Sequence, residues 1–184
     1  VGSEMCIRDR AYSQRRRYLL GSETHGLMNY PFRTAALDWL RGGDAACFRD
    51  TMETIREHYP RPAFYSALNI LGTHDTPRIL TLLGAEHVPG TKDARAAYRL
   101  SPEERQKGEA RLRVGEMLLY CFPGSPTVYY GDEAGMEGFE DPLNRKTYPW
   151  DRQDRALLDF FRSLGQLRRH RPSLQDGDLT YVYA

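Results

Sequence analysis

The chain has 184 residues, 40% of them apolar and 28% charged, which is the make-up of an ordinary globular domain with room for a sizeable core. Its 26 basic and 25 acidic side chains leave a formal charge of +1, which argues against both a basic nucleic-acid footprint and a disordered acidic tail. No apolar run approaches the ~18 residues of a membrane span, so neither nucleic acid nor membrane is an expected partner.

Charge is locally uneven only near the start, where Arg8, Arg10, Arg15, Arg16 and Arg17 cluster. Apart from Tyr12 and Tyr18 no aromatics interleave with them, so a solvated helix face explains the cluster better than a nucleic-acid patch. Cys6, Cys47 and Cys121 lack CxxC spacing, and three cysteines cannot all pair, which disfavours a zinc site or a disulfide framework. Cys47 and Cys121 fall in helical patterns, where a free thiol is expected to behave as a small buried hydrophobe. Reduced thiols favour a cytoplasmic location. Val1 to Arg10 (VGSEMCIRDR) has no periodicity and resembles translated adapter sequence, so it is set apart as a non-native tail.

Arg15 to Leu20 has the pattern of a helix end. Leu27 to Tyr30, closed by Pro31, predicts a buried strand. After Gly42-Gly43, Asp44 is an N-cap for a helix whose apolar positions are Phe48, Met52, Ile55 and Tyr59, with Pro60 as its stop. Leu68 to Leu71 is the next expected strand, followed by a short helical turn over Ile79 to Gly84 and an irregular loop over Glu86 to Tyr98. Ser101-Pro102-Glu103-Glu104 is a strong helix start, with the serine and the glutamate three residues later able to cap each other's backbone N–H groups. The face expected to be buried on that helix is Ala110, Val114, Met117, Leu118 and Cys121. Pro126 to Tyr130 predicts a third strand, and Asp154 caps a last helix with apolar positions Leu157, Phe160, Phe161, Leu164 and Leu167. Leu179 to Tyr183 has the residue types of a further strand.

Strands alternating with helices imply an α/β fold with parallel strands and right-handed crossovers, either an open doubly wound sheet or part of a (β/α)8 barrel. In both, ligands gather at the C-terminal ends of the strands. The stretch Leu68 to Arg78 (LNILGTHDTPR) puts His74 and Asp75 at such an end, which makes them the first functional candidates. Taken alone, the pair is equally consistent with a polar turn closed by its own hydrogen bonds.

LNILGTHDTPR resembles the fourth signature region of the α-amylase family of glycoside hydrolases. Met28 to Arg33 (MNYPFR), Tyr120 to Gly138 (YCFPGSPTVYYGDEAGMEG) and Asp141 to Trp150 (DPLNRKTYPW) resemble flanking segments of its neopullulanase, cyclomaltodextrinase and maltogenic amylase branch. The resemblance implies a TIM barrel of which the chain holds the C-terminal part, strands six to eight with their helices. It divides the chain into a tail over 1–10, a partial catalytic barrel over 11–174 and the start of a β-sandwich domain over 175–184. Three strands of a barrel leave two open edges, which invites aggregation.

Carried over by motif, the resemblance makes Asp75 the catalytic carboxylate that holds the sugar's 2- and 3-hydroxyls and stabilises the transition state. It makes His74 a donor to the same ring, and Asp141 with Arg145 the substrate-binding pair that grips the next sugar. An α-glucan oligosaccharide of maltodextrin, cyclodextrin or pullulan type is the implied ligand. No cofactor or metal is implied by these residues. Calcium and a homodimer belong, if anywhere, to a longer parent protein.

The family's nucleophile and general acid stand at the ends of strands four and five, and neither motif occurs in these 184 residues. Glu23 lies in a loop whose motif does not match, and Asp132 and Glu133 occupy a segment that in the family supplies neither group, so a supporting role is expected of them. The chain is therefore expected to be inactive while its parent is an enzyme. Two rivals stand beside this. A non-catalytic amylase-like module would bind sugar or protein without needing Asp75, His74, Asp141 and Arg145 together. A His-Asp metal phosphohydrolase would need further ligands, and His25, His58, His87 and His170 lack ligand spacing. Trp150, Tyr129 and Tyr130 fit either sugar stacking or packing.

Overall fold

The computed structural model describes residues 16–21 and 23–182. The expectations for Val1 to Arg10, Cys6, Arg15 and Tyr183 lie outside them. The chain divides into two compact units: one holds the described residues up to Ile70 with Leu119–Thr127 and the segment from Arg168 onward, and the other holds Leu71–Leu118 and Val128–Leu167.

The first unit is built on three parallel strands in the order β1-β2-β3: Met28–Asn29, Leu68–Ile70 and Ser125–Thr127. Each is shorter than its sequence pattern suggests. The apolar run at Leu27 to Tyr30 stops being strand at Asn29, because Asn29 accepts the Phe32 N–H at 3.1 Å and so caps a helix, α1, over Tyr30–Leu40. Pro31 opens this helix rather than closing a strand, since a missing N–H costs nothing in a first turn. Asp44 caps α2 (Ala45–His58) through the Ala46 N–H at 2.9 Å, as the sequence predicts, and Phe48, Met52 and Ile55 are buried along it. A short helix, α3 (Arg61–Tyr65), leads into β2. A 3-10 turn at Arg17–Leu19 stands where a helix end is expected. Among the described residues no strand forms over 179–182.

Two buried asparagines fix the strand register. Asn29 and Asn69 are paired residues of β1 and β2, the Asn29 carboxamide donates to Asn69 Oδ1 at 2.9 Å, and Asn69 Nδ2 donates to the Pro123 carbonyl at 2.8 Å. Each buried amide thus finds its partner in a neighbouring segment, and a slip of one residue would strand both. Gly124, at φ +119°, makes room: a Cβ there would run into the Asn69 side chain. Over this relay Phe122 packs against the rings of Phe32, Phe48 and Phe64, with centroids 5.5, 5.6 and 6.3 Å away.

In the second unit α4 (Ile79–Gly84) and α6 (Pro102–Cys121, which continues into the first unit) meet backbone to backbone. A Cβ on Gly84 would strike the Glu104 carbonyl, and one on Gly108 would press on Gly84 Cα and Leu80 O. This close approach selects the buried face of α6, which is Glu104, Gly108, Leu112, Gly115, Glu116 and Leu119. The apolar face expected from periodicity points outward: Ala110, Val114, Met117 and Cys121 are exposed and Leu118 is half-buried. Cys47 is also exposed, so neither described thiol is a buried hydrophobe. A helix α5 (Lys92–Ala97), capped by Thr91, stands inside the segment expected to be irregular.

The start of α6 has the expected reciprocal cap, with Ser101 Oγ accepting the Glu104 N–H at 3.2 Å and Glu104 Oε2 accepting the Ser101 N–H at 2.8 Å. Glu104 Oε1 also accepts the Glu86 N–H at 2.9 Å and the Tyr98 hydroxyl. Asp154 caps α7 (Arg155–His170) by accepting the Leu157 N–H at 3.0 Å. Leu157, Phe161 and Leu164 of α7 are buried, Phe160 is half-buried and Leu167 is exposed.

The hydrogen bond from the Glu86 backbone, then those from Tyr98 and Ser101, hold the Glu104 carboxyl down to about 2. A depressed carboxyl contributes stability that is complete above its unfolded value, about 4.3, and is lost as pH falls toward about 2. Glu104→Gln is therefore expected to lower the denaturation midpoint at pH 7, and the gap to the unsubstituted chain should close between pH 4 and pH 2 in parallel titrations. Phe122→Ala removes the shared ring of the aromatic cluster and should cost about 3–5 kcal/mol in urea unfolding.

Candidate functional site

The chain leaves β2 through Leu71, Gly72 and Thr73, all buried. A side chain at Gly72 would collide with the Asp132 carboxylate, so only glycine lets the loop run this close. Thr73 and Thr76 then close a turn on each other: Thr76 N–H donates to Thr73 O at 3.3 Å, Thr73 N–H donates to Thr76 Oγ1 at 3.3 Å, and Thr73 Oγ1 accepts the Asp75 N–H at 3.2 Å. This lifts His74 and Asp75 to the apex, with side chains 57% and 31% exposed and His74 Nε2 standing 3.2 Å from Asp75 Oδ1. Arg78 ends the turn, its N–H donating to Gly138 O at 2.8 Å.

A second loop meets the first. Backbone bonds from Leu143 to Glu140 and from Arg145 to Pro142 coil it tightly. Arg145 Nε is 3.1 Å from Asp141 Oδ1 and donates to the His74 carbonyl at 3.2 Å, while its Nη2 lies 3.9 Å from Asp75 Oδ1. The four residues singled out in the sequence, His74, Asp75, Asp141 and Arg145, thus form one cluster. Ion pairs this exposed stabilise a fold by about 1 kcal/mol or less. Two carboxylates, an imidazole and a guanidinium on an accessible surface match a ligand rich in hydroxyl groups, because together they both donate and accept.

Below them lies a buried layer centred on Arg78, a residue that sequence reasoning did not single out. The Arg78 side chain is fully buried, with Nη1 3.2 Å from Asp132 Oδ1 and donating to the Tyr130 carbonyl. Its guanidinium stacks on the rings of Tyr129 and Tyr130 at 4.3 and 4.6 Å. Among the described residues Arg78 Nε and Nη2 have no hydrogen-bond partner, so ring faces replace part of the lost hydration. Gly131, at φ +86°, turns the chain past Arg78 and Met136 where a Cβ could not fit. Glu133 Oε2 accepts the Gly131 N–H at 2.8 Å, so Asp132 and Glu133 are both engaged in holding this turn. Burial, with Asp132 and Glu133 close by, pushes the Glu116 carboxyl well above the usual carboxylate range and favours its protonated form.

Asn144 is the other unforeseen residue. Fully buried, it donates from Nδ2 to the carbonyls of His74 and Thr76, both at 2.8 Å. A polar residue between Pro142 and Arg145 carried no periodic signal, so only its neighbours in space reveal it. Trp150 is exposed in this chain and rests against Tyr148 with centroids 4.7 Å apart. Tyr130 is anchored through its hydroxyl to Lys146 O at 2.8 Å. Glu23 belongs to the first unit. Among the described residues no group of three or more His, Cys, Asp or Glu could hold a metal ion, and no helix is long and apolar enough to cross a membrane.

Known proteins share this arrangement of sequence. An amylopullulanase of Thermoanaerobacterium saccharolyticum is 39% identical over 178 residues, covering 90% of this chain and 13% of that protein. A cyclomaltodextrinase of Geobacillus thermopakistaniensis is 33% identical over 171 residues, covering 91% of this chain and 25% of its own length. The solved structure of the cyclic α-maltosyl-(1→6)-maltose hydrolase from Arthrobacter globiformis, in its ligand-free form, superposes with a TM-score of 0.72 at 31% identity over 91% of this chain and 34% of that one. The chain thus spans between about an eighth and a third of the length of these relatives. The family model described as alpha amylase, catalytic domain, matches residues 3–176, and with nearly the whole sequence accounted for in this way the chain belongs to the α-amylase family.

Proposed function

We propose that the chain is part of a retaining α-glucan hydrolase and carries that enzyme's third carboxylate with its sugar-gripping pair. In this reading β1, β2 and β3 are barrel strands six, seven and eight, residues 11–174 are the C-terminal part of the catalytic barrel, and 175–184 begin a β-sandwich domain. The observation that carries the proposal is the cluster itself: Asp75, His74, Asp141 and Arg145 come from two loops to within ion-pairing reach of one another. Its relatives include proteins named amylopullulanase and cyclomaltodextrinase, which suggests maltodextrin, cyclodextrin or pullulan-type substrates.

Cleavage of a glycosidic bond builds positive charge on the sugar ring, and a fixed carboxylate stabilises that charge better than mobile water does. Asp75 is placed in this role, accepting hydrogen bonds from two ring hydroxyls as the charge develops. His74 donates to the same ring. Arg145, steadied by Asp141, donates to the neighbouring sugar. The nucleophile and the general acid, whose carboxyl groups stand about 5–5.5 Å apart in a retaining enzyme, come from barrel strands outside these 184 residues.

Two outcomes follow. The 184-residue chain should bind maltohexaose in calorimetry, and Asp75→Asn should weaken that binding about tenfold or more, the worth of a charge-assisted hydrogen bond; equal affinity would remove Asp75 from the sugar site. The chain alone should release no nitrophenol from a nitrophenyl maltoside, and measurable turnover would show that it holds a complete catalytic set.

A further inference from the structure

We infer that Asn144 is a positioning residue that locks the Asp75 turn to the Arg145 loop, so that the two groups present one ligand surface. The bonds are specific. The His74 carbonyl belongs to the peptide immediately before Asp75 and the Thr76 carbonyl to the peptide after Thr76, and one carboxamide nitrogen donates to both at 2.8 Å. The N–H of the first of these peptides is already held by Thr73 Oγ1. Asn144 therefore pins the peptide immediately before Asp75 and the peptide one residue beyond it, in a turn with neither helix nor sheet to hold it. Arg145, the next residue after Asn144, donates to the same His74 carbonyl at 3.2 Å, so the loop carrying the guanidinium and the turn carrying the carboxylate share one anchor.

The chemistry of that anchor is narrow. An asparagine nitrogen offers two donors from one planar group at short reach, aspartate of the same shape offers only acceptors, serine offers one donor, and glutamine is a methylene too long. Among the described residues Asn144 Oδ1 is buried without a partner, which offsets part of what the two donated bonds contribute to stability. Asn144 is fully buried and bonds to backbone, so its effect on binding passes through Asp75 and Arg145.

The sugar-binding part of this inference rests on the proposed function, but the lock itself does not. Hydrogen-deuterium exchange of the 184-residue chain at micromolar concentration, followed by mass spectrometry, reads both. Asn144→Asp and Asn144→Ser should raise exchange across residues 72–78 at least tenfold for the aspartate and by less for the serine, which keeps one donor, while the peptide over 102–121 stays as protected as before. The maltohexaose concentration that protects 72–78 should rise at least tenfold in Asn144→Asp. Unchanged exchange over 72–78 in both variants would overturn the lock. Equal loosening of 102–121 would also overturn it, since Asn144 would then hold the whole unit and not the turn. If the unsubstituted chain shows no protection by maltohexaose, the sugar reading fails and the exchange comparison still decides the lock.

Discussion

A guanidinium taken wholly out of water is the constraint around which the second unit is arranged. Arg78 sits at the N-terminal edge of α4 with its charge met by Asp132 and its faces covered by Tyr129 and Tyr130. Desolvating two charges is expensive, and removing one partner of such a pair typically costs about 3–5 kcal/mol because the other is left buried and unmatched. The surrounding sequence reflects that demand. Gly72 and Gly131 are the two places where backbone must pass the pair without a side chain in the way, and Glu133 ties down the turn that delivers Asp132. The Asp75 turn therefore begins and ends on buried, geometrically determined residues.

On that base the polar groups divide by depth. The buried ones, Arg78, Asp132 and Asn144, make short contacts to backbone or to each other and set positions. The exposed ones, His74, Asp75, Asp141 and Arg145, include ion pairs at 3.1 to 3.9 Å and stay accessible. For the proposed sugar-binding role this division means that rigid backbone holds the groups in place before ligand arrives and less ordering remains to be done on binding. Arg105 extends the same logic away from the site. It pairs with Glu109 on its own helix, with Glu137 and with Asp154, so the residue that caps α7 is also bound to α6.

What could be seen in the sequence was local in origin. Asp44, the Ser101-Glu104 pair and Asp154 each act within three residues of themselves, so residue types in a row were enough to place three helix starts. Asp75 at the end of an apolar strand was visible for the same reason, and the motif resemblance placed Asp141 and Arg145 beside it. The misses share the opposite property. Periodicity chose Val114 and Met117 as the inward face of α6, yet the contact of Gly84 with Gly108 turned that face outward. The strands are shorter than the apolar runs: Asn29 ends β1 by accepting the Phe32 N–H as a helix cap, and the pairing of β3 with β2 stops at Thr127.

By itself, then, the sequence determined the α/β alternation, the helix caps, the family and the identity of the charged residues that crowd one surface. Tertiary structure alone decided which face of α6 is buried, that Arg78 and Asp132 meet across 54 residues, and that Asn144 reaches back 70 residues to hold His74. The reason is range. A cap or a turn is a contest between neighbouring groups for nearby N–H and C=O, which residue order specifies, whereas a buried ion pair or a glycine contact exists only once distant segments have excluded water from the same place.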